Sequence, residues 1–166
     1  LACKDHGGFH ETPDRAGPRR SNPHMHLLEA CLAWLDATGD GQWLGRSAQL
    51  ISLFKNRFFD ADSWTLGEYF NDDWMLLQGG KGQWTEPGHH FEWAWLLVEY
   101  AKAANQPDLI KYARKLYASA VANGLNRATG LAYDAVSKEG IPLVRTSRSW
   151  PQTEAIKAAI ALDGTG

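Results

Sequence analysis

The sequence is poor in cysteine, in long apolar runs and in excess charge of either sign, and each scarcity closes off a class of protein. Cys3 and Cys31 are its two cysteines and have no metal-ligand spacing, so neither a disulfide scaffold nor a cysteine-rich zinc fold is available. Cys31 falls in an apolar helical run, where a buried free thiol is the ordinary outcome. No apolar stretch approaches bilayer length, and Leu1-Ala2-Cys3-Lys4-Asp5-His6 lacks the charged-then-apolar order of a signal peptide. The expectation is therefore a cytoplasmic protein with no membrane partner. Seventeen Lys and Arg against nineteen Asp and Glu leave a net charge of −2 without a basic run. Nucleic acid is not an expected partner.

What is present points to a helical protein with a real core. The 166 residues are 44% hydrophobic, the size and composition of one ordinary globular domain spanning 1–166. Residues 1–21, rich in Gly, Pro, Arg and His, read as a loop or short extended segment. Pro23 to Ala37 then carries a helical stripe (Met25, Leu28, Leu32, Leu35), with Asn22 as its expected cap and Gly39 and Gly41 ending it. A second helix is expected over Trp43–Phe59, with Leu44, Ala48, Ile51 and Phe54 at helical spacing. Residues 60–86 and 125–149 are aromatic, turn-rich inserts, the first resembling a small β-hairpin around Asn71-Asp72-Asp73. Gly88–Ala104 and Pro107–Asn123 form a second helical hairpin, and a fifth helix opens at Pro151. The fold class is all-α, built of helical hairpins with short β-hairpin-like inserts. Eight tryptophans suit either packing between helices or the apolar faces of sugars, and abundance alone does not separate the two.

The helix-opening prolines Pro23, Pro87 and Pro151 recur at 64-residue intervals. Proline is tolerated in the first helical turn because its missing N–H would be unsatisfied there anyway. After each proline come ionisable side chains: His24, His26 and Glu29; His89, His90 and Glu92; Glu154. Helix starts combine free N–H groups with the positive dipole end, and three such starts, each on the first helix of a pair, imply that they converge on one cavity. Glu92, three residues after His89, shares its face and can orient an imidazole.

Asn22-Pro23-His24-Met25-His26-Leu27-Leu28-Glu29-Ala30, Glu86-Pro87-Gly88-His89-His90-Phe91-Glu92-Trp93 and Trp150-Pro151-Gln152-Thr153-Glu154-Ala155 together resemble the N-acylglucosamine 2-epimerase superfamily. Within it they look most like mannose isomerases, sulfoquinovose isomerases and cellobiose 2-epimerases. The resemblance implies an (α/α)6 barrel of twelve helices, here incomplete, with a sugar in the axial cavity. It implies aldose–ketose isomerisation of the mannose-to-fructose type through a cis-enediol, with 2-epimerisation of N-acylglucosamine or cellobiose as the alternative. By this comparison His89 is the catalytic base and Glu92 its tuning partner. His26 and Asn22 would bind the sugar, Glu154 would hold its hydroxyls and Trp150 would border the cavity. His90 is expected to pack or cap, Glu29 to support His26, His24 to lie at the surface or cap, and Trp93 to pack. No metal and no cofactor is implied, the partner is a monosaccharide or disaccharide, and homo-oligomerisation is compatible with all of this. A second catalytic histidine and a substrate-binding arginine would lie outside the 166 residues.

Three other classes compete. A zinc enzyme could use the histidines, but no HExxH or cysteine spacing supports it. An α/α-barrel glycosidase could use Glu92 and Glu154 as paired carboxylates, which would leave the histidines unexplained. A helical-repeat binding module would explain the period but not the ionisable groups gathered at one end of each hairpin.

Overall fold

Each proline-opened segment does begin a helix in the computed structural model, which describes residues 7–165. Cys3 and the beginning of the 1–21 segment lie outside the described residues. The chain forms two compact units, one from Leu1–Asp60 and Gly67–Gln83, the other from Ala61–Leu66 and Trp84–Gly166.

In the first unit, α1 (Asn22–Thr38) and α2 (Gln42–Leu53) form a helical hairpin. Gly39 ends α1 in the left-handed region at φ +67° and donates its N–H to the Leu35 carbonyl, a closure that glycine makes without steric cost. Asn22 does not cap α1: it lies in the first helical turn, and the N-cap is Ser21. The Ser21 hydroxyl donates to the Glu68 carboxylate at 2.8 Å and its N–H to the Glu68 carbonyl. A partner 47 residues away therefore sets this boundary.

Met25 and Leu28 of α1 are fully buried, whereas Leu32 and Leu35 are half-buried. The buried face of α2 carries Ser47, Leu50, Ile51 and Leu53, with Ala48 exposed, so the expected stripe is rotated. The α-helix also stops at Leu53 and continues as a π-helical turn over Phe54–Phe58, closed by the Phe59 N–H on the Phe54 carbonyl. This turn places both Phe54 and Phe58 in the core, and a π turn of this kind is a local widening that a 3.6-residue pattern does not announce. Strand β2 (Phe59–Asp60) follows. Strand β1 (Arg19–Arg20) pairs antiparallel with β4 (Tyr69–Phe70), with Arg19 opposite Phe70. The Asn71 side chain accepts the N–H groups of Asp73 and Met75, making the expected turn.

The second unit holds β3 (Thr65–Leu66) and is built on α3 (Pro87–Ala104), with α4 (Ile110–Gly124) and α5 (Trp150–Asp163) packed against it. A helix apolar all round is one that is enclosed, and Phe91, Trp93, Leu96, Leu97 and Val98 have no exposed surface. The packing at its start is tight. A Cβ on Gly88 would lie 2.4 Å from the Trp150 ring, and one on Gly124 would lie 2.5 Å from Pro87. A short 3₁₀ turn, Pro107–Leu109, leads into α4. In the second insert β5 (Ala135–Val136) pairs antiparallel with β6 (Pro142–Val144). Val136 also exchanges both backbone hydrogen bonds with Thr85, just before α3, which ties the insert to the helix start. Among the described residues no helix is long and apolar enough to cross a membrane.

Candidate active site

The first two turns of α3 present His89, His90 and Glu92 on a backbone fixed by Pro87 and by the Thr85–Val136 pairing. His89 and Glu92 are both buried, at 7% and 5% exposure. His89 Nε2 lies 3.9 Å from the Glu86 carboxylate, and its ring stacks at a tilt on Trp150 with centroids 5.4 Å apart. Glu86 is the N-cap of α3 yet makes no side-chain capping bond, so its carboxylate faces the imidazole instead.

His90 is a structural residue, as expected. Its Nε2 accepts the Leu66 N–H at 3.2 Å, which puts the ring proton on Nδ1, 2.9 Å from the Glu86 carbonyl. His24 adopts the same arrangement in the first unit. Nε2 accepts the Phe9 N–H at 2.8 Å and Nδ1 faces the Arg20 carbonyl at 3.0 Å. The expected surface position of His24 is incorrect, though its ring nitrogens do meet backbone groups: it is 1% exposed and enclosed by Phe9, Phe58 and Trp74. Burial pushes its pKa down to about 4, with the Arg19 charge adding and the Arg20 carbonyl opposing, so this imidazole is neutral.

Asn22 and His26 lie one helical turn apart on α1. His26 is half exposed, with Nδ1 3.6 Å from Glu29, and the Asn22 Oδ1 is buried with no hydrogen-bond partner among the described residues. At the start of α5, Glu154 pairs with Lys157 at 2.7 Å, and Lys157 in turn lies over the Trp95 ring at 3.8 Å. Trp93 is wholly buried, in keeping with a packing role.

Three charged residues here had no assigned function in the sequence reading: Glu86, Asp134 and Arg148. Arg148 bridges the two acids, donating to Glu86 at 3.1 Å and pairing with Asp134 at 3.0 Å. Asp134 also accepts the Thr146 hydroxyl and the Arg148 N–H. Burial alone would raise its pKa, but these bonds and the guanidinium outweigh it and hold the carboxyl below its usual value. The signal was in the register: Glu86 precedes Pro87, and Arg148 stands just before Trp150-Pro151, so oppositely charged residues flank two equivalent helix starts.

Helical hairpins with loop inserts at the helix starts, and ionisable groups gathered there, define a protein of the (α/α)-barrel class. More narrowly, the chain belongs to the N-acylglucosamine 2-epimerase (GlcNAc 2-epimerase) family, whose profile matches residues 1–166. It is 39% identical over 155 residues to a mannose-6-phosphate isomerase from Rhizobium meliloti, covering 92% of this chain and 40% of that protein. It is 34% identical to a D-mannose isomerase from Thermobifida fusca, covering 87% of this chain and 38% of the relative. The chain thus spans about 40% of the length of these relatives. Its fold matches a crystal structure of D-mannose isomerase at a TM-score of 0.76 and 24% identity, covering 90% of this chain and 39% of the other. A glycoside hydrolase family 76 mannosidase from Bacteroides thetaiotaomicron matches nearly as well, at 0.73 and 14% identity, with 90% and 40% covered. The fold is that of the (α/α)6-barrel epimerases, in part only.

Proposed function

We propose that the protein to which this chain belongs is a sugar isomerase that interconverts an aldose and its ketose, mannose and fructose in type, with His89 as general base. The carrying observation is the His89 imidazole, buried at the start of α3 with Glu86 3.9 Å from Nε2 and Trp150 against its ring. The names of the relatives support the substrate class. Histidine suits the task because the proton beside a sugar carbonyl is weakly acidic and imidazole titrates near working pH. His89 takes the C2 proton while the C1 carbonyl oxygen gains one, giving a cis-enediol. Protonation of C1 with loss of the O2 proton then yields the ketose. Donors near the developing charge stabilise it, and in this proposal His26 and Asn22 supply them, with Glu92 supporting His89. Glu154 and Trp150 complete the sugar-facing set.

A 2-epimerase is the second reading, favoured by the family itself. The two differ only in where the proton returns: to C1 in an isomerase, to the opposite face of C2 in an epimerase. Incubating the full-length protein with mannose in D2O and following products by NMR separates them. Deuterium at C1 of fructose is the expected outcome, deuterium at C2 of glucose marks the epimerase, and no exchange with any aldose sinks the proposal. His89→Ala should abolish the exchange and keep the helical circular dichroism of the parent.

A further inference from the structure

Arg148 lies on the loop before α5 and is more than half exposed, with 53% of its side chain accessible. An exposed ion pair of this kind contributes about 0–1 kcal/mol, so stability alone does not account for how thoroughly it is held. Asp134 anchors it twice, through the backbone N–H at 3.0 Å and through Nε at 3.0 Å. Asp134 is itself fixed by the Thr146 hydroxyl at 2.6 Å and by its own N–H on the Thr146 carbonyl. From that base the guanidinium reaches Glu86 Oε2 at 3.1 Å, the same oxygen that lies 3.9 Å from His89 Nε2. It also sits over the Trp150 ring at 5.2 Å, and that ring packs against His89 with centroids 5.4 Å apart. One side chain thus contacts both neighbours of the imidazole.

We infer that Arg148 is a positioning residue for proton transfer at His89: braced by Asp134, it holds the Glu86 carboxylate and the Trp150 ring in place against the imidazole. This rests on the isomerase reading above. Glu86 needs such a holder because it sits at a helix N-cap, where a carboxylate is drawn to the free N–H groups of the first turn. The Arg148 fork withdraws it from that role and aims it at His89. A guanidinium does this better than an ammonium, since its planar donors engage two acceptors at once. Without it, Glu86 could turn back to cap α3 or close on the imidazole, and either movement changes the geometry of the base.

The test uses the full-length protein with mannose. Arg148→Met is expected to lower kcat about 10²-fold, the scale of a small misplacement of a reacting group, with KM changed by less than about threefold. Arg148→Lys, which keeps the charge but not the fork, should recover only part of the loss. Because Arg148 acts in part through Glu86, combining Glu86→Gln with Arg148→Met should cost clearly less than the sum of the two single losses, a coupling that a merely structural residue would not produce. Should Arg148→Met fail to fold, Asp134→Asn tests the same brace and should lower kcat in the same sense. Wild-type exchange with unaltered kcat in these variants, full activity in Arg148→Lys, or additive losses in the double variant would overturn the role of Arg148 alone. A wild-type protein that exchanges no aldose proton would overturn the isomerase reading and this inference with it.

Discussion

Two histidines one residue apart in sequence, His89 and His90, meet opposite fates, and the difference is one of hydrogen-bond accounting. Both ring nitrogens of His90 are committed to backbone groups, so it can neither take nor give a proton without breaking structure. His89 faces a carboxylate and an aromatic ring instead. The packing of His90 matches what the motif suggested; Leu66 and Trp150 were not legible as partners, because tertiary packing brings them there. His24 shows the limit more sharply. Its place beside a helix-opening proline suggested a surface position, while the aromatic residues that enclose it stand up to 50 positions away along the chain. Its burial carries a pH dependence. The unfolded chain binds a proton at the ordinary histidine pKa of 6.5, the folded protein at about 4. The unfolded state therefore takes up the proton first as pH falls. Stability is full above pH 6.5 and declines between there and about pH 4, by about 3 kcal/mol in all. Urea unfolding followed by tryptophan fluorescence at pH 7 and pH 4.5 measures it. His24→Gln should flatten the slope over that window, and an unchanged slope would refute the assignment to His24.

Among the elements, α1, α3 and α5 were legible because proline, glycine and helical spacing act locally. α2 was legible only in part. Its 3.6-residue pattern did not show the π turn at Phe54–Phe58, which buries both phenylalanines, Phe58 against Phe70 and Trp74. The start of α3 shows how an element boundary serves a site. Gly88 follows Pro87 because the Trp150 ring occupies the place where a Cβ would go, so helix α5 is seated against α3 at the position of the proposed base. Gly88→Ala should cost about 1–3 kcal/mol, the usual penalty for overpacking a filled core, and should push Trp150 off His89. Thermal unfolding would register the first effect. The second should show as loss of turnover larger than the fraction unfolded explains. Unchanged stability and unchanged turnover together would mean that Trp150 does not rest where the structure puts it.

On the scale of the whole molecule, fold and chemistry separate. A mannosidase and a mannose isomerase match these helices almost equally well, so the architecture does not select the reaction. The imidazoles, which a two-carboxylate glycosidase does not require, make the selection in the reading proposed here. The helices also leave apolar surface uncovered. On α5, Ile156 and Ile160 stand one turn apart at 62% and 70% exposure, on the side away from the face that includes Ala158 and Leu162. Adjacent exposed isoleucines form a stripe that water does not favour, and the chain's net charge of −2 offers little repulsion between copies. The 166-residue polypeptide should therefore self-associate at micromolar concentration, eluting well above its 18.5 kDa mass in size exclusion with light scattering. Ile156→Lys combined with Ile160→Lys should shift it toward the monomer and leave the helical circular dichroism unchanged, because neither side chain belongs to the buried core. An elution profile indifferent to both substitutions would show that the association, if it occurs, runs through another surface.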